Sequence, residues 1–176
     1  MDYLLEDSPT ISVDLDRLII DYGDSILRLC YFYTKDKQIA EDILQEVFIS
    51  VYQNYSNFNH NSAEKTWITK IAINKCKSYI RSVWFKRVLP TSNISMGFDE
   101  GIETRFFKEE SERDLIRNIE QLQTKYKELI ILYYYNELTV KEISTILNIN
   151  ESTVKTRLKR GREKLKFKLE ERCIYE

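Results

Sequence analysis

Glycine and proline are scarce in this chain, with four Gly and two Pro among 176 residues. Sandwiches and barrels depend on turn residues at short, regular intervals, so the shortage leaves few strand turns and favours helices. Cysteine is scarce too: Cys30, Cys76 and Cys173 are odd in number and far apart, which removes a disulfide framework and a metal-knuckle spacing and points to a reducing compartment. His60 is the single histidine, so it has no partner for a metal site or an acid-base triad, and a surface loop is its default setting. A Gly-rich phosphate loop and a Ser-His or Cys-His arrangement are also missing, which leaves an enzyme without support. No stretch approaches the length of a membrane span, and the N-terminal MDYLLEDSPT carries acids where a signal peptide needs bases and an apolar run. The expectation is a cytoplasmic protein, not an enzyme, with no cofactor, no metal and no membrane insertion.

What remains is charge, and its placement matters more than its sum. The formal net charge is -1. Acids gather before Asp24 and from Asp99 to Asp114, whereas bases gather from Lys65 to Arg87 and from Lys155 to Lys168. This asymmetry predicts two separate basic surfaces. The length suits one medium domain or two small ones and is enough to bury a core.

The stretch from Thr139 to Lys168 reads as a helix-turn-helix. Val140, Ile143 and Leu147 recur at i, i+3 and i+7, with Ser144 beside them as a small residue where a second backbone could approach. Asn148-Ile149-Asn150 supplies the turn, because Asn tolerates the left-handed conformation that ends a helix and Ile149 can plug the elbow. The second helix starts at Glu151 or Ser152, with Val154, Leu158 and Leu165 on one stripe and bases over most of the rest. A basic amphipathic helix also suits a membrane surface or a plain solvated face. A short bracing helix joined through a three-residue elbow favours nucleic acid, since a DNA-reading helix needs that brace across the backbone.

Upstream, Leu15, Leu18, Ile19, Tyr22, Ile26, Leu29, Cys30 and Tyr33 form the stripe of a long amphipathic helix, read as core. Asp36 is placed as the N-cap of a second helix, roughly Lys37 to Tyr55, that buries Ala40, Ile43, Leu44, Val47, Phe48 and Val51. The opposite edge carries Glu41, Asp42, Gln45 and Glu46, an acidic patch of a kind that is usually only solvated. NYSNFNHNSAEK reads as an exposed loop. From Lys65 to Ser82 a further helix sets Trp67, Ile68, Ile71, Ala72 and Ile80 against Lys70, Asn74, Lys77 and Arg81. Bases and aromatics beside an Asn-rich loop suit a single-stranded nucleic acid, although the Trp67 indole itself is better read as core.

The run from Asp36 to Phe48, the run from Trp67 to Asn74 ending in Tyr79-Ile80-Arg81, and the closing helix-turn-helix together resemble the extracytoplasmic-function (ECF) sigma factors of bacterial RNA polymerase. Three motifs in the family's order are far more specific than one. The resemblance implies that Asp42, Gln45 and Glu46 bind the polymerase's largest subunit. It implies further that Phe58, Asn74 and the loop Asn59, His60, Asn61 and Ser62 capture a base flipped from the minus-10 strand, whose exposed edge suits an Asn amide. Lys70, Lys77 and Arg81 would hold the adjacent phosphates, and Ser152, Thr153, Lys155, Thr156, Lys159 and Arg160 would face a minus-35 duplex. Core RNA polymerase and promoter DNA are the implied partners, with an anti-sigma factor left open. Asn148 and Ser144 stand where the family often has Gly and Ala, Leu122-Gln123 replaces a common Leu-Pro, and Gly161 should weaken its helix by about 1 kcal/mol relative to Ala.

Between these motifs the regularity fades. Pro90, Thr91, Ser92 and Gly97 are loop formers, and an acidic run follows to Glu112. The expected architecture is all-α: two small helical domains joined by a flexible acidic linker, with a region 2-like domain over 1-82, the linker over 83-111 and a region 4-like domain over 112-176. Leu115 to Tyr135 would pack under the helix-turn-helix. The competing reading is a stand-alone helix-turn-helix regulator that binds an operator. Such a protein needs a dimer interface for paired half-sites, and no heptad seam is present.

Overall fold

The computed structural model describes residues 14–88 and 110–175, and among these every regular element is helical. Three long helices come first: α1 (Leu15–Thr34), α2 (Lys37–Asn54) and α3 (Glu64–Val88). Asp14 caps α1 by accepting from the Arg17 N–H at 3.0 Å, and Asp36 caps α2 by accepting from the Ile39 N–H at 3.0 Å. Between the two helices Lys35 turns left-handed at φ 58° and donates its N–H to the Tyr31 carbonyl at 2.8 Å. This closes α1 and leaves a one-residue step to the next cap. The three helices pack against one another around Leu18, Ile26, Leu29, Val47, Ile68 and Ile73, all buried. Burial of each such side chain contributes about 1.5–3 kcal/mol.

The predicted stripe on α1 holds except at Ile19, which is exposed; it lies next to the buried Leu18 on a narrower apolar face than the spacing suggested. α3 runs to Val88, beyond the boundary expected at 82, because no helix breaker precedes Pro90 and the residue before a proline is the usual stop. The acidic run from Asp99 to Glu109, expected as a linker, lies outside the described residues.

The second group contains α4 (Glu110–Glu120), α5 (Thr124–Ile130), α6 (Val140–Leu147) and α7 (Glu151–Tyr175). The single pattern expected from Leu115 to Tyr135 is broken at Gln121–Gln123: Gln123 has the extended backbone of an N-cap (φ −58°, ψ 141°), so a new helix starts without the family's proline. One wider turn, Ile131–Tyr135, continues α5. α6 opens with a capping box, in which Thr139 accepts from the Glu142 N–H and Glu142 accepts from the Thr139 N–H at 2.8 Å. α6 ends at Asn148 in the left-handed conformation (φ 53°), as its sequence predicts. Ser144 does more than leave room: its hydroxyl donates to the Ile149 carbonyl at 2.6 Å and fixes the elbow.

Gly161 explains how closely α7 approaches α5. A Cβ at this position would meet Ile130 Cδ1 at 3.0 Å and Tyr126 Cβ at 3.4 Å. The residue that costs helix propensity thus permits the packing of α7 against α5.

The two helical groups also touch. α3 meets α6, and buried residues of both groups join in one cluster.

Candidate nucleic-acid interface

Three exposed surfaces are built on these helices. The first is the outer face of α7. Val154 and Leu158 are buried against α5 and α6, so the residues between them turn outward. Ser152, Lys155, Thr156, Lys159 and Arg160 are exposed and Thr153 is half-buried. Lys159 makes only a long ion pair, 4.0 Å to Glu163 on its own helix. The Thr156 hydroxyl donates back to the Ser152 carbonyl at 2.8 Å. The unsatisfied N–H groups of the first turn add a positive end to this face.

The second surface joins the end of α2 to α3. A short 3-10 turn, Tyr55–Asn57, leads to Phe58, which is buried and stacked on Trp67 with ring centroids 5.0 Å apart; His60 meets its edge at 4.6 Å. One face of Phe58 is taken by Trp67 and its edge by His60, so the ring floors the loop from within. Above it, Asn59 Oδ1 accepts from the Asn61 N–H at 3.2 Å and His60 is left-handed at φ 57°, a tight turn that leaves Asn59, His60, Asn61 and Ser62 exposed. Glu64 anchors the base of the loop: it accepts from Arg17 at 2.9 Å and from Tyr55 and Tyr22. The Arg17 guanidinium, with the Tyr55 hydroxyl beside it, holds the Glu64 carboxyl below its ordinary range despite some burial. Arg17 and Glu64 were not singled out in the sequence, because 47 residues separate them.

Along α3, Lys70, Asn74, Lys77 and Arg81 are exposed and recur at i, i+4, i+7 and i+11, a single helical stripe. Trp67, read as core, is half-buried and stacked on Phe58. Three of the four stripe residues carry no ion pair among the described residues. Lys77 differs: its ammonium sits 2.8 Å from Glu128 of α5.

The third surface is the outer edge of α2, where Asp42, Gln45 and Glu46 are exposed and Glu46 pairs with Lys75 of α3 at 3.3 Å. Ile49 and Tyr52 continue the same face, 55% and 63% exposed. Sequence reasoning passed over both. The available signal was their i+4 and i+7 spacing from Gln45, which sets them opposite the buried Val47 and Val51. The face is therefore acidic at one end and apolar at the other.

Comparison with known proteins assigns both helical groups. The Sigma-70 region 2 family matches residues 18–85, and the Sigma-70, region 4 family matches residues 112–165. The ECF RNA polymerase sigma factor SigW of Bacillus subtilis (strain 168) is 36% identical over 162 residues, covering 86% of this chain and 87% of the relative. SigM of the same organism, also an ECF RNA polymerase sigma factor, is 31% identical over 152 residues, covering 86% and 93%. Among solved structures, the sigma factor RpoE of Bartonella quintana, crystallised with the anti-sigma factor NepR, has a similar fold (TM-score 0.69, 17% identity, 89% of this chain and 97% of that one). A stand-alone operator-binding regulator is not favoured, since it leaves the region 2 match without a role. Matched at both ends and along most of its length, the chain belongs to the ECF sigma factors of RNA polymerase.

Proposed function

We propose that this alternative sigma factor joins core RNA polymerase through α2, reads a duplex minus-35 element through α7, and holds an opened minus-10 strand along α3 and the loop before it. One observation carries the reading: a single chain presents a braced basic helix and, on a separate helical group, an exposed acidic stripe and an exposed base-and-amide stripe. Duplex contact falls to Ser152, Thr153, Lys155, Thr156, Lys159 and Arg160. Phosphates of the single strand fall to Lys70, Lys77 and Arg81, and a base edge to Asn74 with Asn59, His60, Asn61 and Ser62 around it. An Asn amide offers a donor and an acceptor to such an edge. Phe58 supports the loop from beneath. Asp42, Gln45 and Glu46 meet the polymerase, and Ile49 and Tyr52 extend that contact with apolar area, as suits an interface core beside a charged rim. An anti-sigma partner fits the same reading, and an apolar groove of about 850 Å³ floored by Leu115, Ile119, Ile130 and Leu165 offers it a surface.

The chain supplies binding and positioning, with no catalytic step of its own, and works in the cytoplasm where the polymerase is. Run-off transcription tests the whole reading: added to core polymerase, the chain should direct initiation at specific start sites. A chain that binds duplex DNA but never converts core polymerase into a promoter-specific enzyme would sink it. Replacing Asp42, Gln45 and Glu46 together by Ala should abolish co-purification with core polymerase while leaving the fold intact, because all three are exposed.

A further inference from the structure

Four carboxylates of the C-terminal group reach across to the N-terminal one. Glu120 accepts from Lys35, Glu128 accepts from Lys77 and from the Tyr33 hydroxyl, Glu137 lies 3.6 Å from Lys65, and Glu142 accepts from the Thr66 hydroxyl at 2.6 Å. Three of the four meet lysines, and Lys65 and Lys77 both belong to α3, the helix whose bases are left to meet a strand. Glu128 and Glu120 are 16% and 13% exposed, so these pairs are screened less than surface ones. Asn136 adds a further polar contact, donating to the Ser25 carbonyl at 3.5 Å, beside the buried side chains through which the two groups join. Interfaces of this kind between domains of one chain are reversible by default.

We propose that in the free chain the region 4 domain closes on the region 2 domain and that Glu128 occupies, at Lys77, the place of a phosphate of the minus-10 strand. Domain opening and single-strand binding are then coupled through one lysine. The proposal rests on the assignment of Lys77 to phosphate contact. The mask is partial: Lys70, Asn74 and Arg81 on the same stripe are exposed and carry no ion pair among the described residues, so the closed chain keeps a weak affinity for single strands and gains the rest on opening. A carboxylate can act this way because it presents two anionic oxygens to the same ammonium that would receive a phosphate. Tyr33 strengthens the closure, since its hydroxyl gives Glu128 a second donor from α1.

The test uses the full-length chain in three variants, Glu128→Gln, Lys77→Gln and both together, each checked by circular dichroism for an unchanged fold. Small-angle scattering reports closure, and a fluorescein-labelled mixed-sequence single strand reports binding. Glu128→Gln should enlarge the radius of gyration and raise single-strand affinity about fivefold, the factor expected for release of one ion pair. Lys77→Gln should also open the chain but lower affinity, and the gain from Glu128→Gln should vanish in the double variant. A radius unchanged in both single variants would overturn the closure. A chain that opens in both while Lys77→Gln leaves affinity untouched would overturn the phosphate assignment of Lys77 instead. An affinity gain that persists undiminished in the double variant would show that Glu128 acts on some other base and would overturn the coupling.

Discussion

α3 and α7 are the same length, 25 residues each, and both are rich in lysine and arginine, yet the fold treats them differently. On α7 the bases at 155, 159 and 160 point away from the C-terminal helices and are answered by little more than a distant Glu163. On α3, Lys65, Lys75 and Lys77 are met by Glu137, Glu46 and Glu128. A helix that reads duplex DNA has only to be braced and left open. On the proposed division of labour α3, which would hold a melted strand, sits beside an ordered loop and is partly covered by acids of the other domain. Similar composition therefore conceals two electrostatic situations, and a count of basic residues does not separate them.

The largest effect that would sharpen this contrast is on salt dependence. Lys159→Ala with Arg160→Ala should lower duplex affinity at least tenfold at low salt and reduce the salt slope by about 1.8, two contacts at about 0.9 each on duplex DNA. Lys70→Ala with Arg81→Ala should leave duplex binding unchanged and reduce the slope for single strands by about 1.4. Fluorescence anisotropy on both substrates checks the pair. If each double variant weakened both substrates equally, the division of labour between α3 and α7 would be wrong.

Packing gives the next effect. Gly161→Val places a branched side chain where Ile130 and Tyr126 already stand at 3.0 and 3.4 Å from a single Cβ. The loss of stability should be about 1–3 kcal/mol, net of any gain in helix propensity, read from denaturant unfolding. A variant as stable as the parent would mean that α7 does not need its close approach to α5.

Base reading comes third. Asn74→Ala should weaken open-complex formation by about 1–3 kcal/mol and flatten the preference at one minus-10 position, while sparing holoenzyme assembly and duplex binding. Asn side chains also tether nearby backbone. Among the described residues the Asn74 side chain is exposed and has no hydrogen-bond partner, which favours the base. A mutant that melts early yet keeps its full preference would restore the tether.

Local signals carried well from sequence to structure, and remote ones did not. Asp36, Asn148 and the i, i+3, i+7 spacing of α6 act within a turn or two, so the caps, the elbow and the all-helical class were legible. The placement of Phe58 was not, because its neighbours in sequence are polar while the rings that enclose it include Trp67, nine residues on. Ile19 was read as core for the converse reason, since periodicity gives the direction of a face but not its width. Glu128 with Tyr33 spans 95 positions, and no pattern in either segment announces the pair. Gly161 looked like a defect of α7 until α5 was seen against it.

The smallest effect concerns acid. α3 is tied to α1 by charge at its first residue, Glu64, whereas α7 begins at Glu151, which is exposed. Because Arg17, then Tyr55, hold the folded Glu64 carboxyl below its ordinary value, the group binds protons less readily folded than unfolded. Its contribution to stability is therefore complete above the unfolded carboxylate value of about 4.3 and is lost as pH falls through the lower, folded value. Glu64→Gln removes that linkage while keeping a side chain able to accept from Tyr55. Thermal melts of parent and variant should differ by a constant amount at neutral pH and converge below about pH 4. The site is open to solvent, so the difference is small. Arg17→Gln should give the same convergence from the other side of the pair, and melts that stayed parallel down to the acid limit in both variants would remove the Arg17–Glu64 tie from the forces that hold the loop at Asn59 to Ser62 in place.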